Sequence, residues 1–224
     1  MSDPGPSLRS GGLWSRREAH FLKVIGRALE ILGARRPHPS DEVGLNRLLY
    51  FALLEASREL DPKGVHPPPM QESCNQPDPD DTVRATREAK RPDFQWGFFD
   101  PHEPDARYSA MQFVVECKRL GASGKPAWVL NENYVVHGVA RFVLPEWSYA
   151  KRFSSALMIG YWQNMTFPAI LAEVNLATAA NSLPHLVACP GAHPRKNVTE
   201  LEHSLTRPFP ISPFKLRHWW VDLH

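Results

Sequence analysis

The sequence predicts an α/β fold in which helices sandwich a mixed central sheet. Two amphipathic helical patterns precede any strand, and apolar runs of strand length then alternate with further helical patterns. Apolar residues make up 42% of the chain and charged residues 22%, a balance typical of folded domains. A chain of 224 residues is long enough for one sizeable core. We therefore predict one domain over residues 15–224, after a flexible tail rich in Gly, Ser and Pro over residues 1–14.

Two helices open this domain. Ser15 and Glu18 have the spacing of a capping box and predict the start of the first helix, and Gly33 is its expected C-cap. The second helix is predicted to begin near Ser40 or Asp41 and to end before the Asp61-Pro62 pair. Each helix carries its apolar residues on one face: Phe21, Leu22, Ile25, Ala28, Leu29 and Leu32 in the first, and Leu45, Leu48, Leu49, Ala52 and Ala56 in the second.

A long loop and an antiparallel pair of strands follow. Residues 62–81 are rich in proline and acid, which favours a loop, although MQES at 70–73 fits a short edge strand. PDFQWGFFDP at 92–101 and YSAMQFVVECKRL at 108–120 are typical of two strands joined by a turn. The sequence therefore predicts a hairpin at the centre of the chain.

The remaining elements alternate between helix and strand. NENYVVHGVARFVL at 131–144 is predicted to be a helix capped by Asn131 or Asn133 and stopped by Pro145. SSALMIGYW at 154–162 predicts a strand, and TFPAILAEVNLATAANSL at 166–183 predicts a helix. HLVACPG at 185–191 and FKLRHWWVDL at 214–223 are candidate last strands. The predicted order is αα-ββ-α-β-α-β(β).

Polar residues end the apolar strand at 111–118. Side chains alternate along a strand, so Glu116 and Lys118 share one face, and an antiparallel partner would bring Asp93 beside Glu116. Two converging carboxylates repel each other unless a cation lies between them, and hard oxygen ligands suit Mg²⁺ or Mn²⁺. The carbonyl of Cys117 is a third candidate ligand. Lys118 would orient or deprotonate an attacking water and offset charge on a phosphate.

This arrangement resembles the active-site motif of the PD-(D/E)XK nuclease superfamily. Pro92-Asp93 is followed, after 22 residues, by Glu116-Cys117-Lys118. The resemblance implies a restriction-endonuclease-like three-layer α/β/α sandwich with extra N-terminal helices. It also implies a Mg²⁺- or Mn²⁺-dependent endonuclease that hydrolyses DNA and leaves 5′-phosphates. Asp93 and Glu116 would be catalytic metal ligands and Lys118 the third catalytic residue.

The segment after the catalytic strand is similar to uncharacterised bacterial nucleases of this superfamily that are linked to antiphage defence. Tyr134, His137, Gly138 and Arg141 would share one face of the predicted helix at 131–144. From this resemblance Tyr134 and Arg141 are expected to contact nucleic acid. Residues 147–172 contain no acidic residue but carry Lys151 and Arg152, which we add to that surface.

A further metal ligand is expected on the second helix. The segment DEVGLNRLL at 41–49 resembles a pattern in which a helical glutamate joins the metal of such nucleases. Glu42 is the candidate, with Asn46 one turn later, and Glu55 is the alternative. A glutamate in the first turn also stabilises a helix without any other role, so that interpretation stays open.

Other interpretations of the same residues also remain. Glu116 and Lys118 would make an ordinary surface salt bridge if the strand end were solvated. The ten histidines match neither a H-E-x-x-H motif nor a zinc finger, so the sequence does not predict a zinc site. The alternative functions are a catalytically inactive nuclease-fold subunit that binds nucleic acid or a partner protein, and an RNA-cleaving effector.

The cysteines and the apolar runs indicate the compartment. Cys74, Cys117 and Cys189 lack the spacing of a disulfide framework, and the chain has neither a signal-peptide core nor a run of about 20 apolar residues. We expect a cytoplasmic protein with no membrane contact. DNA, or else RNA, is the expected partner. A homodimer would serve double-strand cleavage, and a separate regulatory or ATPase protein is a candidate activator.

Overall fold

The computed structural model describes residues 8–80, 87–123, 129–191 and 195–224, which form a mixed seven-stranded sheet with four helices. The helices are α1 (Leu8–Ala34), α2 (Glu42–Leu60), α3 (Leu130–Val136) and α4 (Phe167–Ala180). The strands are β1 (Met70–Gln71), β2 (Phe94–Phe99), β3 (Ala110–Leu120), β4 (Ser155–Trp162), β5 (Val187–Ala188), β6 (Val198–Leu205) and β7 (Phe214–Asp222). The chain is therefore of the mixed α/β class, as predicted.

The strand order is β1-β2-β3-β4-β7-β6-β5. The three central strands β3, β4 and β7 are parallel, and the strands on either side of them are antiparallel to their neighbours. β7 comes last along the chain yet lies between β4 and β6, where both of its edges are hydrogen-bonded.

Helices cover both faces of the sheet. Phe113, Val115 and Cys117 of β3 point into a core shared with α1 and α2. Val114 and Leu120 of the same strand point into a second core shared with α3 and α4. The pleat of β3 therefore divides its side chains between two cores, as the alternation predicted. None of the described helices combines the length and apolarity that a membrane span requires.

Several predicted elements are confirmed. Asp41 is the N-cap of α2, where its Oδ1 accepts a hydrogen bond from the Gly44 amide at 2.8 Å. The helix ends at Leu60, before the Asp61-Pro62 pair. β2 and β3 form the predicted antiparallel pair, MQES supplies the edge strand β1, and β4, α4 and β7 lie where expected.

The first helix is longer than predicted. α1 begins at Leu8, so residues 8–14 belong to the helix rather than to a flexible tail, and Ser15 is not its N-cap. The physical reason is packing: Trp14 is buried, and its ring stacks on Phe153 with centroids 5.0 Å apart. Gly33 lies inside the helix, which ends at Ala34.

The predicted helix at 131–144 is broken in two. α3 ends at Val136, and a short 3-10 helix follows over Val139–Phe142; α3 begins without a side-chain cap from Asn131 or Asn133. At Gly138 a Cβ would collide with the Tyr134 carbonyl and lie 2.6 Å from Met158 Cε. The chain passes closer to β4 here than a regular helix allows. Tyr134 and Arg141 therefore do not share one continuous helical face.

β6 was not predicted from the sequence. Its sequence, VTELEHSL, has few apolar residues, but Leu201, His203 and Leu205 alternate and are buried. This alternation was the available signal for a half-buried strand.

A buried arginine fixes the segment between the 3-10 helix and β4. Arg207 lies between β6 and β7 and is 5% exposed, and its guanidinium stacks 3.7 Å from the Phe214 ring centroid. It donates hydrogen bonds to the backbone carbonyls of Phe142, Tyr149, Ala150, Lys151 and Phe153. Burial lowers the pKa of Arg207 to about 9, so the group stays charged at neutral pH. One side chain thus satisfies carbonyls along a loop that has little regular structure of its own.

Candidate active site

Asp93 lies directly before β2 and faces β3. The antiparallel register pairs Phe94 with Val115, which sets Asp93 opposite Glu116. Its Oδ1 accepts a hydrogen bond from Asn46 Nδ2 at 2.9 Å, and its Oδ2 accepts one from the Cys117 amide at 2.7 Å. Burial raises the pKa of Asp93. The carboxyl group is thus fixed between α2 and β3 in a site that disfavours its charge.

Glu116 is fully buried on β3. Its Oε1 accepts a hydrogen bond from Arg141 and lies 3.0 Å from Lys118 Nζ. Its Oε2 is also buried and has no hydrogen-bond partner among the described residues. Burial, followed by the nearby charge of Asp93, raises the pKa of Glu116 to about 8. One oxygen is therefore held by two cations, and the other has an acceptor capacity that none of the described residues uses.

Lys118 lies at the centre of the acidic residues. Its Nζ donates hydrogen bonds to Glu42 Oε1 and to the Cys117 carbonyl, both at 2.8 Å, and approaches Glu116. Burial acts to lower the pKa of Lys118, but the surrounding carboxylates outweigh it and raise that pKa. The lysine is therefore held as an ammonium among these carboxylates.

The structure distinguishes between the two glutamates considered on α2. Glu42 lies in the first turn of α2, and its carboxylate reaches Lys118. Glu55 lies elsewhere on the helix and forms an exposed ion pair with Arg35 at 2.6 Å. Only Glu42 is placed with the other acidic residues.

Arg141 comes from the 3-10 helix that follows α3. Its guanidinium contacts Glu116 and lies 4.3 Å from the centroid of the Trp147 ring. The same ring receives Lys90 Nζ at 4.1 Å. Arg141 Nε is buried without a hydrogen-bond partner among the described residues. Arg141 is thus held by one carboxylate and one aromatic face.

Glu42, Lys118 and Arg141 border an open cleft of about 420 Å³, whereas Asp93 and Glu116 do not line it. It is lined by Glu42, Lys118, Arg119, Leu130, Asn133, His137 and Arg141. Neither Arg119 nor Asn133 was predicted from the sequence to be a site residue. Arg119 donates a hydrogen bond to the Ser40 carbonyl at 2.6 Å, which places it beside the start of α2. Its position next to Lys118 at the strand end was the signal that could have identified it.

Two residues behind the acidic group were also missed. Tyr161 of β4 donates a hydrogen bond to Asn46 Oδ1 at 2.7 Å, and Asn46 in turn binds Asp93. Trp147 supports Arg141 from a loop. Both residues lie in the segment that resembles the defence-associated nucleases, where Tyr161 ends the sequence Met-Ile-Gly-Tyr, but only the tertiary fold shows that they lie behind Asp93 and Arg141.

Tyr134 does not lie on the cleft surface. It is fully buried, its hydroxyl lies 2.8 Å from His218 Nδ1, and it accepts a hydrogen bond from Trp220 Nε1 at 3.1 Å. Burial raises the pKa of Tyr134. Its predicted contact with nucleic acid does not fit this position, because its ring packs in the core between α3 and β7.

Lys151 and Arg152 are paired with acidic residues of the proline-rich loop. Lys151 Nζ lies 2.6 Å from Asp78 Oδ2, and Arg152 contacts both Asp78 and Asp80. Neither Lys151 nor Arg152 lines the cleft that Glu42, Lys118 and Arg141 border. The stretch without acidic residues was real in sequence, but a distant loop supplies the negative charges. The predicted basic surface is therefore largely neutralised here.

The donor atoms suit a divalent metal ion in their chemistry, but the oxygens of the three carboxylates do not all lie within 4.8 Å of one another. Asp93, Glu116 and Glu42 supply carboxylate oxygens, the Cys117 carbonyl lies beside them, and Glu116 Oε2 lacks a partner among the described residues. The Lys118 ammonium now bridges Glu42, Glu116 and that carbonyl. A metal ion would share these oxygens with Lys118 or displace it from some of them.

Comparisons with known proteins gave no family for this chain. No family model, no curated protein and no solved structure matches it.

Proposed function

We propose that this protein is a Mg²⁺- or Mn²⁺-dependent endonuclease of the restriction-endonuclease-like fold that hydrolyses phosphodiester bonds in DNA. One observation carries the proposal: Asp93, Glu116 and Lys118 meet at the paired ends of β2 and β3, with one buried oxygen of Glu116 unpartnered among the described residues. The order of elements around this pair supports it, because α2 precedes the hairpin and a parallel strand follows it. A role in bacterial antiphage defence extends the proposal and rests on the sequence resemblance alone.

Each residue has a distinct task in this proposal. Asp93, Glu116 and Glu42 would hold the metal ion, which would supply polarisation of the phosphate and a lower pKa of a bound water. Lys118 orients the attacking water and offsets negative charge on the phosphate, as its raised pKa favours. Arg141 is positioned to contact a second phosphate oxygen, because its guanidinium already lines the cleft. The bound backbone would enter between α2 and α3.

The test is cleavage of plasmid and linear DNA by purified variants with Mg²⁺ or Mn²⁺. Glu116→Gln and Lys118→Ala are each expected to lower the cleavage rate by about 100-fold or more, since each removes a group that acts on the reacting atoms. Glu55→Gln and Lys23→Ala make the same chemical changes at exposed positions outside the cleft and should leave the rate unchanged. Undiminished cleavage by folded Glu116→Gln would reject the assignment.

The inactive-subunit alternative has one observation in its favour. Lys118 and Arg141 already satisfy Glu116 Oε1, and Lys118 also satisfies Glu42, so the carboxylates are partly neutralised without a metal ion. Titration calorimetry with Mg²⁺ separates the two functions. An active site should bind the ion in the wild type and lose it in Glu116→Gln, whereas an inactive subunit should show no binding that depends on Glu116. A panel of DNA and RNA substrates then distinguishes a DNase from an RNA-cleaving effector.

A further inference from the structure

Two histidines and an aspartate, residue types that commonly bind metal ions, lie together where α1 meets the end of α2. Among the residues that the structure describes, His20, Asp61 and His66 form the one such trio whose ligand atoms all lie within 4.8 Å of one another. His20 belongs to α1, Asp61 is the C-cap of α2, and His66 follows in the loop. We propose that these three residues bind a transition-metal ion of the Zn²⁺ class. The proposal is independent of the nuclease function.

Asp61 already orients one of the imidazoles. Its Oδ2 accepts a hydrogen bond from the His66 amide at 2.7 Å and lies 3.0 Å from His66 Nδ1. An ion held by both groups would take the place of the proton between this oxygen and Nδ1, with Nδ1 as the ligand and the ring proton on Nε2. The His66 amide also lowers the pKa of Asp61 to about 2, so the carboxylate is ionised at neutral pH.

The two imidazole rings are stacked. Their centroids are 3.5 Å apart and their planes differ by 14°. Two protonated rings at this separation would repel each other, and burial together with His66 lowers the pKa of His20. The neutral imidazole that this favours is the form that binds transition metals. The groups that act on His20 electrostatically are His66, Asp61, Arg17 and Lys23.

The donor set selects the class of ion. Two imidazole nitrogens and one carboxylate, with a fourth position open to water, are typical of Zn²⁺ and unlike the all-oxygen sites of Mg²⁺. Zinc lies about 2.0–2.2 Å from such ligands, so the present 4.8 Å span must contract. All three residues are partly exposed, and rotation of their side chains can supply that change. A bound ion would join α1 to the connection between α2 and β1.

Zinc binding is measured by titration calorimetry of the full chain, with excess Mg²⁺ present to occupy oxygen-only sites. We expect one Zn²⁺ per chain and at least a 100-fold weaker affinity in His20→Gln and in His66→Ala. His102→Ala, which removes an exposed histidine elsewhere, should bind like the wild type. At 100-fold excess over Kd, Zn²⁺ should raise the Tm of the wild type by about 5–10 °C and leave that of His20→Gln unchanged.

Two results would overturn the site. One is undiminished Zn²⁺ affinity in folded His20→Gln. The other is loss of that affinity in Glu116→Gln, which would place the ion at the site of Asp93 and Glu116. Should His66→Ala unfold, His20→Gln still decides the matter, because glutamine is compatible with the interior of a helix. DNA cleavage reports on the nuclease proposal alone, so the two proposals fail separately.

Discussion

One carboxylate oxygen of Glu116 contacts two cations, Arg141 and Lys118. The other oxygen has no hydrogen-bond partner among the described residues. Transfer of a carboxylate from water into an interior is costly unless all of its hydrogen-bonding capacity is used. The raised pKa of Glu116, about 8, reflects this incomplete compensation by Lys118 and Arg141. Such perturbation is common at functional sites, where a bound ligand completes the set of contacts.

The shifted pKa predicts how stability changes with pH in a metal-free buffer. Below about pH 4.5, Glu116 is protonated in both the folded and the unfolded protein. Between pH 4.5 and 8, the folded protein keeps a proton on Glu116 that the unfolded chain loses. The folded state binds more protons there, so Glu116 lowers the free energy of unfolding as pH rises. Glu116→Gln lacks this titration. Its free energy of unfolding should therefore rise relative to that of the wild type by on the order of 3 kcal/mol between pH 5 and pH 8. Urea unfolding at each pH measures the difference.

Glu55→Gln is the matched control for this measurement, because Glu55 is an exposed glutamate in an ion pair with Arg35. Its difference from the wild type should stay nearly constant with pH. A Glu116→Gln curve parallel to that of the wild type would show that Glu116 ionises normally in the folded protein.

The break between α3 and the 3-10 helix is the second point at which local structure affects the site. A Cβ on Gly138 would collide with the Tyr134 carbonyl and would also approach Lys118 Cγ to 3.2 Å. Gly138→Ala should therefore destabilise the protein by about 1–3 kcal/mol and lower DNA cleavage by displacing Lys118. Thermal unfolding and the cleavage assay measure the two effects.

Gly12→Ala makes the same substitution in α1, where the new Cβ meets nothing within 4 Å. It should stabilise the protein by up to about 1 kcal/mol, since alanine favours a helix over glycine. Equal effects of the two alanines would contradict the proposed close approach at Gly138.

Elements with a strong periodic pattern were predictable from the sequence, and elements set by long-range contacts were not. Asp41 identified the start of α2 because a cap is a local interaction. The start of α1 depends on the burial of Trp14 against Phe153, more than 100 residues away, and the local capping-box pattern gave the wrong start. β6 was missed because its buried face includes His203, which is polar in sequence but enclosed in the fold.

The residues of the candidate site also differ in how far they could be predicted from local sequence. The spacing of Asp93, Glu116 and Lys118 follows from one hairpin, so strand alternation was enough to bring them together. Tyr134 was misplaced because the helical face was extended past Val136, where the helix ends. Lys151 appeared to be an unpaired cation because its partner, Asp78, lies more than 70 residues earlier in the chain.

At the scale of the whole molecule, Arg207, between β6 and β7, binds the loop that follows the 3-10 helix of Arg141. Arg207→Lys keeps the charge but replaces five N–H donors with three, so some buried carbonyls between Phe142 and Phe153 lose their partners. We expect a loss of about 3 kcal/mol in the free energy of unfolding. Urea denaturation followed by circular dichroism measures it.

Arg58→Lys changes an exposed arginine of α2 and should alter that free energy by less than about 0.5 kcal/mol. Matching unfolding midpoints for the two lysine variants would show that the carbonyl contacts of Arg207 contribute little.

The central position of β7 has a consequence for the growing chain. Until residues 214–222 have been synthesised, β4 lacks its second neighbour, and its apolar sequence SALMIGYW forms an open edge. Arg207, which binds the backbone carbonyls that follow Arg141, is synthesised only shortly before β7. A nascent chain on the ribosome therefore carries Glu42, Lys118 and Arg141 before the sheet behind them is complete. We expect unfinished chains to be prone to aggregate through this open edge until the last strand enters the sheet.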